Sequence, residues 1–447
     1  MIAYSKERFT HLVLFVLVLN LFFADYLNAR LEVIPRWATW GPELISLILV
    51  VLILLRFAIL KEFALGVKYV LLMAVFIIVF FASSLINLSG SGAIIVGMRT
   101  YFKTLPIFLL PAVFNVDSDR LKKQLKFILP LLLIQCPLAL YQRLFQFGLE
   151  ANGDQIRGSL NTSGVLSLMM ICAIAVLNGL YQKKILKLRQ FIVFSLILFI
   201  PTTINETKVT LVYLPLAIVI PFVFASDHKI YNKIRKLVTL MAVGGVLLSI
   251  FVPVYDYFMK PKWGYGILEF IESGKAVEYV YSGTPYNQNT NWRRGDRLFV
   301  AADSVSKDLG SFFFGYGPGN VAVSYFNEFQ DKEVDPAANA NDQAVTNIIW
   351  EEGFLGLLAY MIFLVFIFRD ARFLRKQGSF LGAFALGWCA VVILIGLNLF
   401  YKNMLITNIV NYFFWYLSGV VASQVYRLRH AKQLNHMQPL YRVNAPR

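Results

Sequence analysis

Long apolar runs separated by short polar loops recur along most of the 447-residue chain. A membrane-crossing helix needs roughly 20 mostly apolar residues. On that rule the pattern predicts twelve spans, at 9–27, 42–60, 64–86, 93–115, 124–147, 160–181, 190–204, 207–225, 236–259, 345–368, 379–398 and 404–426. The seventh is short, which suits a tilted, bent or re-entrant course. Between Lys260 and Gly353 the apolar runs stop, and this interval holds 13 of the 26 acidic residues, so polar chemistry is expected there. The chain therefore divides into nine spans over 1–259, a large loop with short helices over 260–344, three spans over 345–426 and a basic tail over 427–447. No repeat of a solenoid period and no duplicated half is visible.

Composition agrees with the pattern. Charged residues are only 15% of the chain and apolar ones 58%, with a mean hydropathy of +0.62; soluble domains are about 25% charged. The fold class is thus an all-α polytopic membrane protein. A net charge of +16 would suit nucleic acid, but the cations sit in short loops at alternate ends of the apolar runs. One side carries Lys6 and Arg8, Arg120 to Lys123, Lys183 to Arg189, Lys229 to Lys236, Arg369 to Lys376, and Arg427 to Lys432. By the positive-inside rule both termini are cytoplasmic and the large loop between spans nine and ten faces outward. No nucleic-acid partner is expected. No small-residue cleavage site follows the first apolar run, so it reads as a retained helix. Cys136, Cys172 and Cys389 lie inside apolar runs, and none of the four histidines falls in the large loop. Neither a disulfide, nor a metal, nor a cofactor is expected.

Several charged positions carry candidate chemistry. Arg99 and Lys103 lie four residues apart inside the fourth span, on one helical face. Cations at that depth are costly unless paired or lining a wet cavity; the alternatives are an anionic ligand, or snorkelling and pairing with Glu43 or Asp25. Lys208, in NETK, reads either as a ligand contact or as an interfacial anchor, and Arg157 before GSLNTSG is equally open. In the large loop, 296–309 has the apolar spacing of a short surface helix, with Leu298, Ala302, Val305 and Leu309 on one face. That places Arg297 at a helix N-terminus, with Arg294 just before it, where a guanidinium and free N–H groups suit a diphosphate. The plain alternative is a pair with a loop acid. Gly315, Gly317 and Gly319 in FGYGPGN lack the strand–turn–helix context of a nucleotide fingerprint and suit tight backbone turns. Asn341 or Asp342 suits a helix N-cap, while Asp342, Glu351 and Glu352 are carboxylates that could serve as a base or hold sugar hydroxyls.

With those residues in view, the chain resembles the superfamily of O-antigen ligases and O-antigen or exopolysaccharide polymerases. The resemblance rests on Arg297 opening a loop helix, FGYGPGN with Gly315 eighteen residues later, and Glu351, Gly353 and Gly356 in an E-x-G-x-x-G pattern leading into the next span. RGSLNTSG at 157–164 and NETK at 205–208 resemble two further family segments, with Lys208 in place of the usual Arg. It covers nearly the whole chain, and the order and spacing of the motifs carry it. Where ligases have a His-Asn pair nine residues before the glutamate, this chain has Asp342 and Gln343; that departure favours a polymerase.

The resemblance implies a GT-C-like, metal-independent, inverting glycosyltransferase in the cytoplasmic membrane, working on its outer face. The donor and acceptor would be oligosaccharides linked to polyprenyl (undecaprenyl) diphosphate, with membrane lipid around them and room for a chain-length regulator as partner. Arg297, Lys208, Arg157, Arg294 and Arg99 would hold the diphosphate, with Lys103, Gly317, Gly319 and Glu352 as further substrate contacts. Asp342 or Glu351 would orient or deprotonate the attacking hydroxyl. Two rivals are a ligase acting on a lipid A–core acceptor and, from another class, a flippase for lipid-linked oligosaccharides, which buried Arg99 and Lys103 would favour.

Overall fold

A computed structural model describes residues 2–60, 62–225, 230–281, 293–320 and 343–442. Among them the regular structure is helical throughout, with no strand. The first half contains α1 (Ile2–Ala29), α2 (Gly41–Leu60), α3 (Val67–Ile86), α4 (Ser91–Phe102), α5 (Leu105–Val113), α6 (Ser118–Leu133), α7 (Gln135–Tyr141), α8 (Ser163–Gln182), α9 (Leu188–Ile204) and α10 (Thr210–Phe224). The second half contains α11 (Ile230–Trp263), α12 (Ile267–Glu272), α13 (Lys275–Val280), α14 (Arg294–Val305), α15 (Leu309–Phe314), α16 (Ala344–Leu374), α17 (Phe380–Tyr401) and α18 (Asn408–Arg442).

Eight described helices or helix runs are long and apolar enough to cross a membrane, and the bent pair α4–α5 would make a ninth. The chain is thus a multi-pass membrane protein. The twelve expected runs are all helical, but three do not have the length or apolarity of a full span. Two of these, α9 and α10, are apolar with only 17 and 15 residues. The third, α18, interrupts its apolar sequence with buried Asn411, Ser418, Ser423 and Gln424. The fourth run breaks by 45° at Lys103 and Thr104, and Pro106 sits in the first turn of α5, just after Leu105; a proline suits a helix start and interrupts a helix interior. At the other extreme, α11 runs 34 residues and ends beyond the expected boundary at 259.

The centre of the bundle is α8 against α17. Both have 78% of their most apolar window buried, against 22%, 28% and 17% for α1, α2 and α11 at the periphery. Gly179 and Gly387 form their crossing: a Cβ on Gly387 would lie 2.6 Å from the Ala175 carbonyl oxygen. Small residues at such a crossing let backbones touch, which replaces the hydrophobic driving force that lipid removes. A second centre is aromatic, with Phe363 5.1 Å and Phe108 5.7 Å from the ring of Trp415. Close by, Asp370 of α16 accepts hydrogen bonds from Lys68 Nζ at 2.7 Å and the Tyr69 hydroxyl at 2.9 Å, joining α3 to α16.

Two expectations in the outer segment are corrected. The helix expected over 296–309 is two helices. α14 ends at Val305, and the Asp308 side chain, accepting from the Ser311 N–H at 2.9 Å, caps a new helix, α15, that starts at Leu309. An Asp three residues before an amide is a strong N-cap, and it outweighs the apolar spacing. α16 is also not one straight rod: Gly353 (φ 66°, ψ −166°) breaks it. The residue at its N-cap position is Gln343, and Asp342 lies outside the described residues. Glu351 and Glu352, the carboxylates offered above as a base or as contacts for sugar hydroxyls, precede the break and are 0% exposed.

Candidate functional site

The outer segment docks through the glycines. Gly315 (φ 68°) and Gly353 face each other: a Cβ on Gly315 would meet the Trp350 carbonyl oxygen at 2.6 Å, and one on Gly353 would meet the Phe314 nitrogen at 2.6 Å. The Tyr316 N–H donates to the Trp350 carbonyl at 2.7 Å, while the Ser83 hydroxyl reaches the carbonyls of Phe314 and Glu351. Asn87 Nδ2 donates to the Gly315 carbonyl at 3.0 Å. Beyond them, Gly319 (φ 78°) sits against Ala93 and Gly97 of α4, and Gly317 beside Ser89 and Asn87. FGYGPGN is therefore a buttress that fixes α14 and α15 on α3, α4 and α16.

That buttress holds α14 over a cavity of about 980 Å³. Its walls come from five places far apart in sequence: the 152–164 segment, the 205–208 turn, α12 with α13, the start of α14, and the end of α17 at Tyr401 and Lys402. Among the described residues its lining carries seven cations, namely Arg157, Lys208, Lys275, Arg293, Arg294, Arg297 and Lys402, against three acids, Asp154, Glu206 and Glu278. Tyr265, Phe270, Tyr279 and Tyr401 add aromatic faces.

Each wall is held by buried polar contacts. Gln142, in a π-helical turn after α7, accepts from the Arg157 and Gly158 amides at 3.0 and 2.9 Å and donates to the Gly158 carbonyl at 2.6 Å. Gln135 accepts from the Ser159 amide at 2.8 Å. π-turns often mark functional sites; this one aims a glutamine at the turn that carries Arg157. The Arg157 guanidinium donates to the Asn161 carbonyl at 2.8 Å. Burial, the nearby Arg30 and, in the opposite sense, Asp25 act on it, with the net effect of lowering its pKa. Asn205 donates to the Ser163 carbonyl at 3.0 Å and accepts from the Thr207 hydroxyl at 2.8 Å, joining the NETK turn to the start of α8. Glu206, at φ 60°, accepts from Arg143 at 2.7 Å and from the Gly153 amide at 3.1 Å. Arg143 itself is 1% exposed and lies 3.7 Å over the Phe258 ring.

Lys208, in the turn before α10, points its ammonium at the Phe270 and Tyr279 rings, 4.2 and 4.7 Å from their centroids. Burial and the Arg294 charge lower its pKa. Arg294 donates to the Tyr279 hydroxyl and lies 4.4 Å over the Tyr401 ring. Arg293 pairs with Glu278 at 3.0 Å.

Arg157, Lys208, Arg294 and Arg297 thus meet at one cavity, although 140 residues of sequence separate the first from the last. Of the remaining candidates, Asp342 lies outside the described residues and the others do not line it. Arg99 pairs with Glu43 at 3.1 Å, and Lys103 donates to Asn408 Oδ1 at 2.8 Å, which is the pairing alternative for Arg99. Glu351 and Glu352 are enclosed at the α16 break, within electrostatic reach of Tyr101 on α4. Gly317 and Gly319 belong to the buttress. Sequence reasoning missed Arg143, Glu206, the four aromatic rings, Lys275, Arg293 and Lys402 as parts of this site. The signal for Arg143 was present, because a charge inside an apolar run is itself a marker. The rings carried no such signal among 68 aromatic residues, 39 Phe, 22 Tyr and 7 Trp.

The arrangement can bind an extended polyanion: guanidinium and ammonium groups for phosphate oxygens, with aromatic faces beside them for apolar sugar surfaces. Compared with known proteins, the chain matches no family model and no curated protein.

Proposed function

We propose that this protein is a membrane glycosyltransferase that polymerises oligosaccharide repeat units carried on polyprenyl diphosphate. The observation that carries this reading is the convergence of Arg157, Lys208, Arg294 and Arg297 on one aromatic-lined cavity, since these are four of the five cations that the motif resemblance assigns to the diphosphate, Arg99 being the one that lies elsewhere. In this reading all twelve helical runs cross the cytoplasmic membrane, both termini are cytoplasmic, and the cavity opens to the outer face.

The donor's diphosphate lies among the four cations, and its lipid leaves between the helices. A hydroxyl of the acceptor repeat unit attacks the anomeric carbon, and the bond from that carbon to the diphosphate oxygen breaks with inversion. The proton passes to a carboxylate and polyprenyl diphosphate departs, its charge stabilised by the same cations. Asp342 is the carboxylate assigned to that proton. Gln343, its neighbour in sequence, donates to the Phe400 carbonyl beside cavity-lining Tyr401 and Lys402. The enclosed position of Glu351 gives it less support.

Incubating the purified protein with a synthetic polyprenyl-diphosphate repeat unit tests this. Wild-type protein is expected to give a ladder at multiples of the repeat, and Arg297→Ala to slow it on the order of 100-fold, as losing one preorganised charge contact does. No ladder from an authentic unit would transfer the assignment to a ligase, to be assayed with a lipid A–core acceptor. A flippase is less supported, because Arg99 and Lys103 already have polar protein partners.

A further inference from the structure

The positive end of α6 has a use the cavity does not absorb. Two apolar grooves flank this helix, on the opposite side of the molecule's sequence pattern from the outer loop. The first, about 530 Å³, lies between α1, α6 and α18, with walls of Leu14, Leu21, Phe127 and Phe413 and with Arg120 and Lys123 among its lining residues. The second, about 400 Å³, lies between α6, α8, α9 and α17, with walls of Leu168, Phe194 and Trp388 and with Lys122 and Lys126 in its lining. One amphipathic helix therefore supplies two cations to each groove, from successive turns on its two flanks. Lys122, Lys123 and Lys126 are exposed, with Asp117 and Asp119 as the acids at the same helix start. Asp117 is engaged as the N-cap, accepting from the Arg120 amide at 2.8 Å. The first groove is also braced by a hydrogen bond from Gln124 to the Tyr416 hydroxyl at 2.7 Å.

We infer that these grooves are binding sites for phospholipids with anionic headgroups. The acyl chains fill the apolar walls, and the headgroup phosphate meets Arg120 and Lys123 in one groove and Lys122 and Lys126 in the other. A groove of this size among lipid-facing helices is filled by hydrocarbon in a bilayer, and paired cations at its end select the charge of the headgroup. A helix that only set topology would need its cations on no particular flank; here they alternate between two cavities.

The test uses the full-length protein in detergent, with phosphatidylglycerol and phosphatidylcholine of identical chains. Native mass spectrometry is expected to show adducts of the anionic lipid in preference to the zwitterionic one, together with a higher thermal midpoint on adding the anionic lipid alone. In Lys123→Gln/Lys126→Gln, which removes one exposed cation from each groove, affinity is expected to fall about fivefold per lysine, while the lipid-free midpoint stays put. Equal retention of both lipids, or undiminished adducts in the double variant, would overturn the proposal. If that variant misfolds, raised salt on the wild type replaces it: the preference must shrink as ionic strength rises, and a preference insensitive to salt would equally overturn it.

Discussion

Arg143 and Glu206 form a buried ion pair at 2.7 Å, 1% and 4% exposed, that ties the π-helical turn after α7 to the NETK turn beside Lys208. Removing one partner leaves the other's buried charge uncompensated, at a cost of about 3–5 kcal/mol. Arg143→Met is therefore expected to lower the thermal unfolding midpoint sharply, and Arg143→Met with Glu206→Gln to recover most of the loss; equal midpoints for the two variants would refute the pair. Lys208 gives a prediction in pH. Burial and Arg294 lower its pKa, so it loses its charge before an ordinary lysine does. Diphosphate affinity should then fall as pH rises from neutrality towards the ordinary lysine range, and Lys208→Arg should move that fall to higher pH, as read by titration calorimetry. Arg99 and Lys103 were legible in the sequence as charges within an apolar run, and Arg157, Lys208, Arg294 and Arg297 through the polar motifs around them. The partner of Arg143 was not legible: it lies 63 residues further along, and no local spacing encodes a contact of that range.

Between elements, the decisive joint is α15 against the break in α16. Gly353 occupies a region of backbone space that is essentially closed to residues with a Cβ, at about 1–3 kcal/mol, and the added carbon would also press on Phe313 and Phe314. Gly353→Ala is thus expected to destabilise the protein by at least that amount. The control is Gly245→Ala in α11, where nothing lies within 4 Å of an added Cβ and helix propensity favours alanine by roughly 1 kcal/mol. Chemical unfolding in detergent that ranked the two alike would remove the joint from the account. The sequence showed both halves of this joint, FGYGPGN and E-x-G-x-x-G, as separate motifs. What it withheld was that the two glycines meet each other, because a turn motif states where the chain can bend and not what the bend touches. The same limit explains the 296–309 helix, whose apolar spacing continued past the point where Asp308 starts a new cap.

At the scale of the molecule, all twelve apolar runs that hydropathy located are helical, and the differences lie in their length and continuity. Short α9 and α10, bent α4–α5 and long α11 depart from one uniform span length, which a count of apolar residues does not resolve. The proposed orientation is testable with single cysteines, after replacing Cys136, Cys172 and Cys389 with alanine. An impermeant thiol reagent applied from outside should label Lys402→Cys and spare Lys187→Cys; the reverse pattern would invert the topology. One consequence of the glycine joint reaches beyond stability. Because α15 is keyed to α16 and the following turn to α3 and α4, the segment that roofs the cavity is not an exchangeable cassette. A chimaera that imports 293–320 alone would carry a lock without its keyhole, so transplanting substrate preference means moving 83–97 and 343–356 with it.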